Sequence, residues 1–155
     1  MNMILIIEDD SNKSSQIESF IRLILPESKI VTKKSYQSGL REIINTKYDF
    51  IILDMSLPTY DIGPNEIGGP FRAFAGLEIL NEMVRKNLKM NVVVVTQFEA
   101  FGSGNDIITL PQLKDQLNGY SDIYYGTVFY NATTSTWKED LEKIILRGEE
   151  QCSLS

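Results

Sequence analysis

Apolar residues along this chain fall into two alternating patterns: short unbroken runs, and stripes spaced three and four residues apart. The runs Met3–Ile7 and Phe50–Leu53 have no polar alternation, which is the pattern of strands buried on both faces of a parallel sheet. "NVVVVTQ" near position 91 repeats that pattern, and "DIYYGTVFY" from Asp122 supplies a fifth, mixed strand. "KIVTK", Lys29–Lys33, is shorter and more polar, so it belongs nearer a sheet edge. Between these runs, Ile17, Phe20, Ile21 and Ile24 share one helical face that Pro26 closes. Ser35 can cap a second helix with Leu40, Ile43 and Ile44 on its apolar side. A third helix over 76–87 carries Leu77, Leu80 and Val84. "TLPQLKDQLNG" is a fourth, with Thr109 at the cap, Pro111 in the first turn and Asn118-Gly119 at the stop. The last helix buries Trp137, Leu141, Ile144 and Ile145.

Strands and helices that alternate in this way predict an α/β fold, a five-stranded parallel sheet with helices on both faces. One domain over 1–148 is expected, followed by a flexible tail at 149–155. In such folds the working site lies outside the carboxyl ends of the strands. Three of those ends carry polar groups: Glu8, Asp9 and Asp10 after the first, Asp54 after the third, and Thr96 on the fourth. If the first strand is central with the third beside it, the carboxylates converge and raise one another's pKa unless a cation sits among them. Neither acidic motif contains a lysine or histidine of its own. A hard divalent ion with oxygen ligands is the natural partner, and Mg²⁺ fits because it uses few carboxylates and keeps its waters. That arrangement also suits phosphoryl transfer, which needs positioning and charge neutralisation above all. Each residue has a plainer reading as well. Asp54 can open a turn, Asp10 can cap the following helix, and Thr96 can satisfy local backbone.

Composition narrows the function further. At 155 residues, 43 % hydrophobic and 23 % charged, the chain is long enough to bury a real core. A net charge of −6 argues against a nucleic-acid surface. No apolar run approaches a membrane span, and "MNMILIIEDD" is too short and too quickly acidic for a signal peptide. A single cysteine, Cys152, rules out an internal disulfide and suits a reducing cytoplasm, so a cytoplasmic protein without membrane contact is expected. The absence of histidine excludes Ser–His–Asp and Cys–His triads, two-His zinc helices and an internal phosphohistidine relay.

The chain resembles the receiver domain of bacterial response regulators over roughly residues 3 to 147. "ILIIEDD" is similar to that family's first strand and acidic pair, and "FIILDMSLP" to its phosphoacceptor strand. "VVVVTQ" is similar to the fourth strand with its hydroxyl switch residue, and "FAGLEIL" to the glycine that opens the third helix. The resemblance implies a flavodoxin-like strand order 2-1-3-4-5. It implies Asp54 as the phosphorylated aspartate and Thr96 as the switch hydroxyl. It also implies a Mg²⁺ site of Glu8, Asp9, Asp54 and the backbone carbonyl of Ser56, with no organic cofactor. The expected partners are a sensor histidine kinase or phosphotransfer protein upstream, and a downstream protein or self-association for the readout. The chain would then be a stand-alone phosphoacceptor in two-component signalling, with at most self-phosphorylation and self-dephosphorylation as enzyme activity.

Two departures stand against the resemblance. Receivers carry a lysine, then proline, at the end of the fifth strand, but this chain has no lysine between Lys114 and Lys138. The position falls on Tyr130 or Asn131, with Phe129 and Tyr130 both candidates for the family's switch aromatic. A missing ammonium removes a charge-assisted contact worth on the order of 1.5–3 kcal/mol. The second departure is the insertion at 59–75, which holds Phe71, Arg72 and Phe74 and is expected beside Asp54 as a lid or partner-binding loop. Glycines in the segment after Thr96 suggest mobility there. The alternative to a phosphorylated receiver is a pseudo-receiver interaction module. A Mg²⁺-dependent phosphohydrolase fits less well, because Ser56 stands where such enzymes of the haloacid-dehalogenase type place a second aspartate.

Overall fold

The computed structural model describes residues 2–62 and 69–154, with side chains through residue 148. Five strands form one parallel sheet: β1 (Met3–Ile7), β2 (Lys29–Lys33), β3 (Phe50–Leu53), β4 (Asn91–Thr96) and β5 (Tyr124–Phe129). Their spatial order is β2-β1-β3-β4-β5, the order expected of a receiver. The helices are α1 (Ser11–Ile24), α2 (Tyr36–Asn45), α3 (Ala75–Arg85), α4 (Leu110–Leu117) and α5 (Thr136–Leu154).

Side-chain alternation in the strands divides the core in two. Leu5, Ile7, Ile51, Leu53, Val92 and Val94 face α2, α3 and α4 through Ile43, Ile79, Leu80, Met83 and Leu113. Ile4, Ile6, Phe50, Ile52, Val93 and Val95 face α1 and α5 through Ile17, Ile21, Trp137, Leu141 and Ile145. Because both faces are covered, the central strands need apolar residues at every position, which explains their unbroken runs.

Helix ends follow local chemistry. Asp10 caps α1, its carboxylate accepting the backbone N–H groups of Asn12 at 2.9 Å and Lys13 at 3.1 Å. Ser35 caps α2, and Thr109 with Gln112 forms a reciprocal capping box at α4. The third helix stops at Arg85 and not at 87, because Asn87 takes the left-handed region at φ 55°. The last helix continues to Leu154, into the segment expected as a tail.

Both long connections are partly ordered. After β3, Leu57–Pro58 pairs antiparallel with Phe71–Arg72, and the Thr59 N–H donates to the Pro70 carbonyl at 3.1 Å. The Arg72 guanidinium pairs with Glu78 at 2.6 Å and stacks 4.4 Å from the Tyr36 ring. Phe71 is exposed, whereas Phe74 is half-buried against the α2–α4 side of the core. The expected aromatic pair is therefore split, and residues 63–68 of the insertion lie outside the described residues. In the segment after Thr96, Ala100–Phe101 pairs with Ile108–Thr109, and Phe101 is buried. Gly102 makes that turn at φ 93°, where a Cβ would lie 2.5 Å from the Asp106 carbonyl oxygen.

Candidate functional site

Register places the acidic residues side by side. Ile7 of β1 pairs with Lys33 on one side and Leu53 on the other, so Glu8 and Asp54 leave neighbouring strands at the same level. The Asp54 N–H still donates to the Ile7 carbonyl at 3.0 Å, and the Glu8 N–H to that of Lys33 at 3.0 Å. These extra ladder bonds fix both carboxylates to the sheet. Gly76 closes the floor. A Cβ there would meet the Met55 methyl at 2.9 Å and the Asp54 carbonyl oxygen at 3.1 Å, so any larger residue would push against the backbone that carries Asp54.

Glu8, Asp9 and Asp54 each offer an oxygen, and these atoms lie within 4.8 Å of one another. Glu8 and Asp54 are buried, while Asp9 opens to solvent. Burial, then the Asp54 charge, pushes the Glu8 carboxyl up to about 7, although Lys13 opposes the rise. Asp9 is pushed up to about 6, by burial first and by Glu8 second. Burial also raises Asp54, against the pull of Lys13. Three crowded carboxyls that resist ionisation are the condition a hard cation relieves, and the donor set is all oxygen, so these residues fit Mg²⁺. The Asp54 carboxylate additionally accepts the Met55 N–H at 2.8 Å. The Ser56 hydroxyl donates to the Ala73 carbonyl at 2.8 Å. Thr96 is buried at the end of β4, where its hydroxyl accepts the Phe98 N–H at 3.2 Å.

One residue of the cluster escapes the sequence reading. Lys13, in the first turn of α1, is 1 % exposed, and its ammonium stands 2.6 Å from Glu8 and 3.5 Å from Asp54. It also donates to the Val95 carbonyl at 3.0 Å. A protein cation thus stands among the carboxylates, supplied from outside their own two motifs. The available signal was a lysine at the third position of the helix that follows "EDD", one turn from the cap. Just past the fifth strand, Tyr130 and not Asn131 turns inward. The Tyr130 ring lies 5.9 Å from the Lys13 ammonium and 5.0 Å from the Trp137 ring, and its buried hydroxyl has no hydrogen-bond partner among the described residues. Asn131 is exposed, its amide oxygen accepting the Thr133 N–H at 3.0 Å and the Thr133 hydroxyl at 2.7 Å. Phe129 is exposed.

No protein-family model matches the chain. It is 33 % identical over 138 residues to the protein y4jR of Sinorhizobium fredii, covering 86 % of this chain and 90 % of that one. It is 29 % identical over 145 residues to the Detocs response regulatory protein DtcB of Enterobacter cloacae, covering 92 % and 97 %. Among solved structures, a CheY-like response regulator receiver domain of Methanospirillum hungatei superposes with a TM-score of 0.63 at 19 % identity, covering 100 % and 99 %. The receiver domain of a sensor histidine kinase from Pseudomonas aeruginosa, which has a magnesium ion coordinated in its active-site cleft, matches at 0.60 and 15 %, covering 94 % and 95 %. With a response regulatory protein matched along nearly its whole length, and with the receiver strand order and acidic strand ends in place, the chain belongs to the response regulator receiver family.

Proposed function

We propose that this receiver takes a phosphoryl group onto Asp54 in a Mg²⁺-dependent reaction and passes the signal to a protein partner through a change in its surface. The observation that carries this reading is the convergence of Glu8, Asp9 and Asp54 at adjoining strand ends, each offering an oxygen within 4.8 Å of the others. Asp9 and Asp54, with Glu8 and the Ser56 main-chain carbonyl, would hold the ion. Bound there, Mg²⁺ would offset the carboxylate charge and that of the incoming phosphoryl oxygens. An Asp54 carboxylate oxygen forms the new P–O bond as the donor's bond to phosphorus breaks, and the leaving group keeps the electron pair. A phosphohistidine of a sensor kinase or phosphotransfer protein would supply the group in signalling, and a small acyl phosphate in vitro. The Met55 N–H, 2.8 Å from Asp54, orients the nucleophile, and the Thr96 hydroxyl at the end of β4 would follow the new charge.

The pseudo-receiver alternative draws support from one observation, the aromatic Tyr130 where receivers place a lysine. A phosphohydrolase is disfavoured. Ser56 has no acidic proton to give, and its hydroxyl is engaged with Ala73. Intact-mass measurement after acetyl phosphate and Mg²⁺ treatment separates the three. A receiver gains one phosphoryl group that Asp54→Asn and chelation both abolish. A pseudo-receiver gains none, and a phosphohydrolase consumes acetyl phosphate through repeated turnovers.

A further inference from the structure

We propose that Lys13 supplies, from the start of α1, the ammonium contact to the phosphoryl group that the fifth strand of this chain does not provide. The inference rests on Asp54 being the phosphoacceptor.

Nothing about the helix itself calls for a lysine at this position. The first turn of α1 is the positive end of the helix dipole, where a cation is disfavoured, and the Asp10 carboxylate that caps it is spent on the backbone N–H groups of Asn12 and Lys13. The side chain is nevertheless 1 % exposed, so a long, mobile chain is ordered and desolvated at a cost the site must repay. Its three ammonium protons meet three oxygens at unequal distances: Glu8 at 2.6 Å, the Val95 carbonyl at 3.0 Å and Asp54 at 3.5 Å. The long contact is the one to the phosphoacceptor, so the cation stands beside Asp54 and is held by its neighbours. A phosphoryl group on Asp54 would bring oxygens toward a cation already in place. Across the site, Tyr130 fills the fifth-strand position with an aromatic wall whose face lies 5.9 Å from the same ammonium. The Val95 carbonyl ties Lys13 to the strand that ends in Thr96, so the contact also reaches the switch end of β4.

A purely structural role predicts something different. If Lys13 only neutralised Glu8 and Asp54, removing it would open the carboxylates to Mg²⁺ and leave phosphorylation unimpaired once metal saturates. The test measures two quantities on Lys13→Met and Lys13→Arg: Mg²⁺ affinity by calorimetry without any phosphoryl donor, and the rate of acetyl phosphate labelling at saturating Mg²⁺. The expected result for Lys13→Met is tighter Mg²⁺ binding together with labelling slowed by about ten- to a hundredfold. Lys13→Arg should recover part of that rate. A Lys13→Met protein that binds Mg²⁺ and labels as fast as wild type overturns the inference while leaving Asp54 as the phosphoacceptor. A wild type that does not label removes the phosphoacceptor reading, and this inference with it. Should Lys13→Met fail to fold, Lys13→Gln keeps hydrogen bonding without the charge. The same two measurements on that variant then support or overturn the inference in the same way.

Discussion

The ends of β1 and β3 border the same site as the end of β5, yet the two borders are built in opposite ways. At β1 and β3, the carboxylates of Glu8 and Asp54 follow directly from strand register and are pinned by one further rung of backbone hydrogen bonds. At β5, an inward tyrosine replaces the expected cation, and the charge comes instead from Lys13 on α1. The difference teaches that a cation can reach one place in space from two different places in the sequence. The start of α1 and the end of β5 flank the same oxygens, and a lysine is long enough to reach them from either.

The comparison can be broken at its acidic side first. Asp54→Asn should abolish acetyl phosphate labelling, the largest effect expected, while intact mass shows any residual adduct. Asp9→Asn should weaken Mg²⁺ at least about tenfold in a calorimetric titration, since it removes the most accessible of the three proposed ligands. The same change should raise the Tm of the metal-free protein, because it relieves repulsion from Glu8. A lowered Tm would mean that Asp9 serves the fold more than the site.

A pH titration sharpens the contrast. Glu8 holds its proton up to about 7, against an ordinary value of 4.5, so between those limits the folded state binds a proton that the unfolded chain has released. Asp9, raised to about 6, acts in the same direction. Stability of the metal-free protein therefore falls as pH rises from about 5 to 7, by roughly 5 °C in Tm. Saturating Mg²⁺, which would bind the deprotonated carboxylates, should cancel most of that fall. A flat metal-free profile would show that Lys13 already compensates the cluster in full.

The smallest effect belongs to the fifth-strand side. Tyr130→Phe deletes a buried hydroxyl without a hydrogen-bond partner among the described residues and keeps the ring between Lys13 and Trp137. It should leave Mg²⁺ binding unchanged and stabilise the fold by about 1 kcal/mol in denaturant unfolding. A loss of stability would assign that hydroxyl a partner.

How much of this was legible in the sequence depended on the range of the contacts. Unbroken apolar runs such as Phe50–Leu53 reveal a strand covered on both faces, and alternation with helical stripes reveals the sheet's class. Caps at Asp10, Ser35 and Thr109 are local, and the sequence marks them directly. The convergence of Glu8 and Asp9 with Asp54 followed once the strand order was supposed, whereas Asp10 of the same motif caps α1. Lys13 was hidden for two reasons. A lysine in the first turn of a helix reads as a solvated surface residue, and its partner Val95 lies 82 positions away. The split between exposed Phe71 and half-buried Phe74 was likewise illegible, since no periodicity governs an inserted loop.

The measurement that bears most directly on the central claim is peptide mapping after treatment with acetyl phosphate and Mg²⁺, followed by borohydride, which reduces an aspartyl phosphate to homoserine. The account predicts homoserine at position 54 in the wild-type peptide and unchanged side chains at Glu8 and Asp9. An unmodified Asp54, or homoserine at Asp9 in its place, would contradict it.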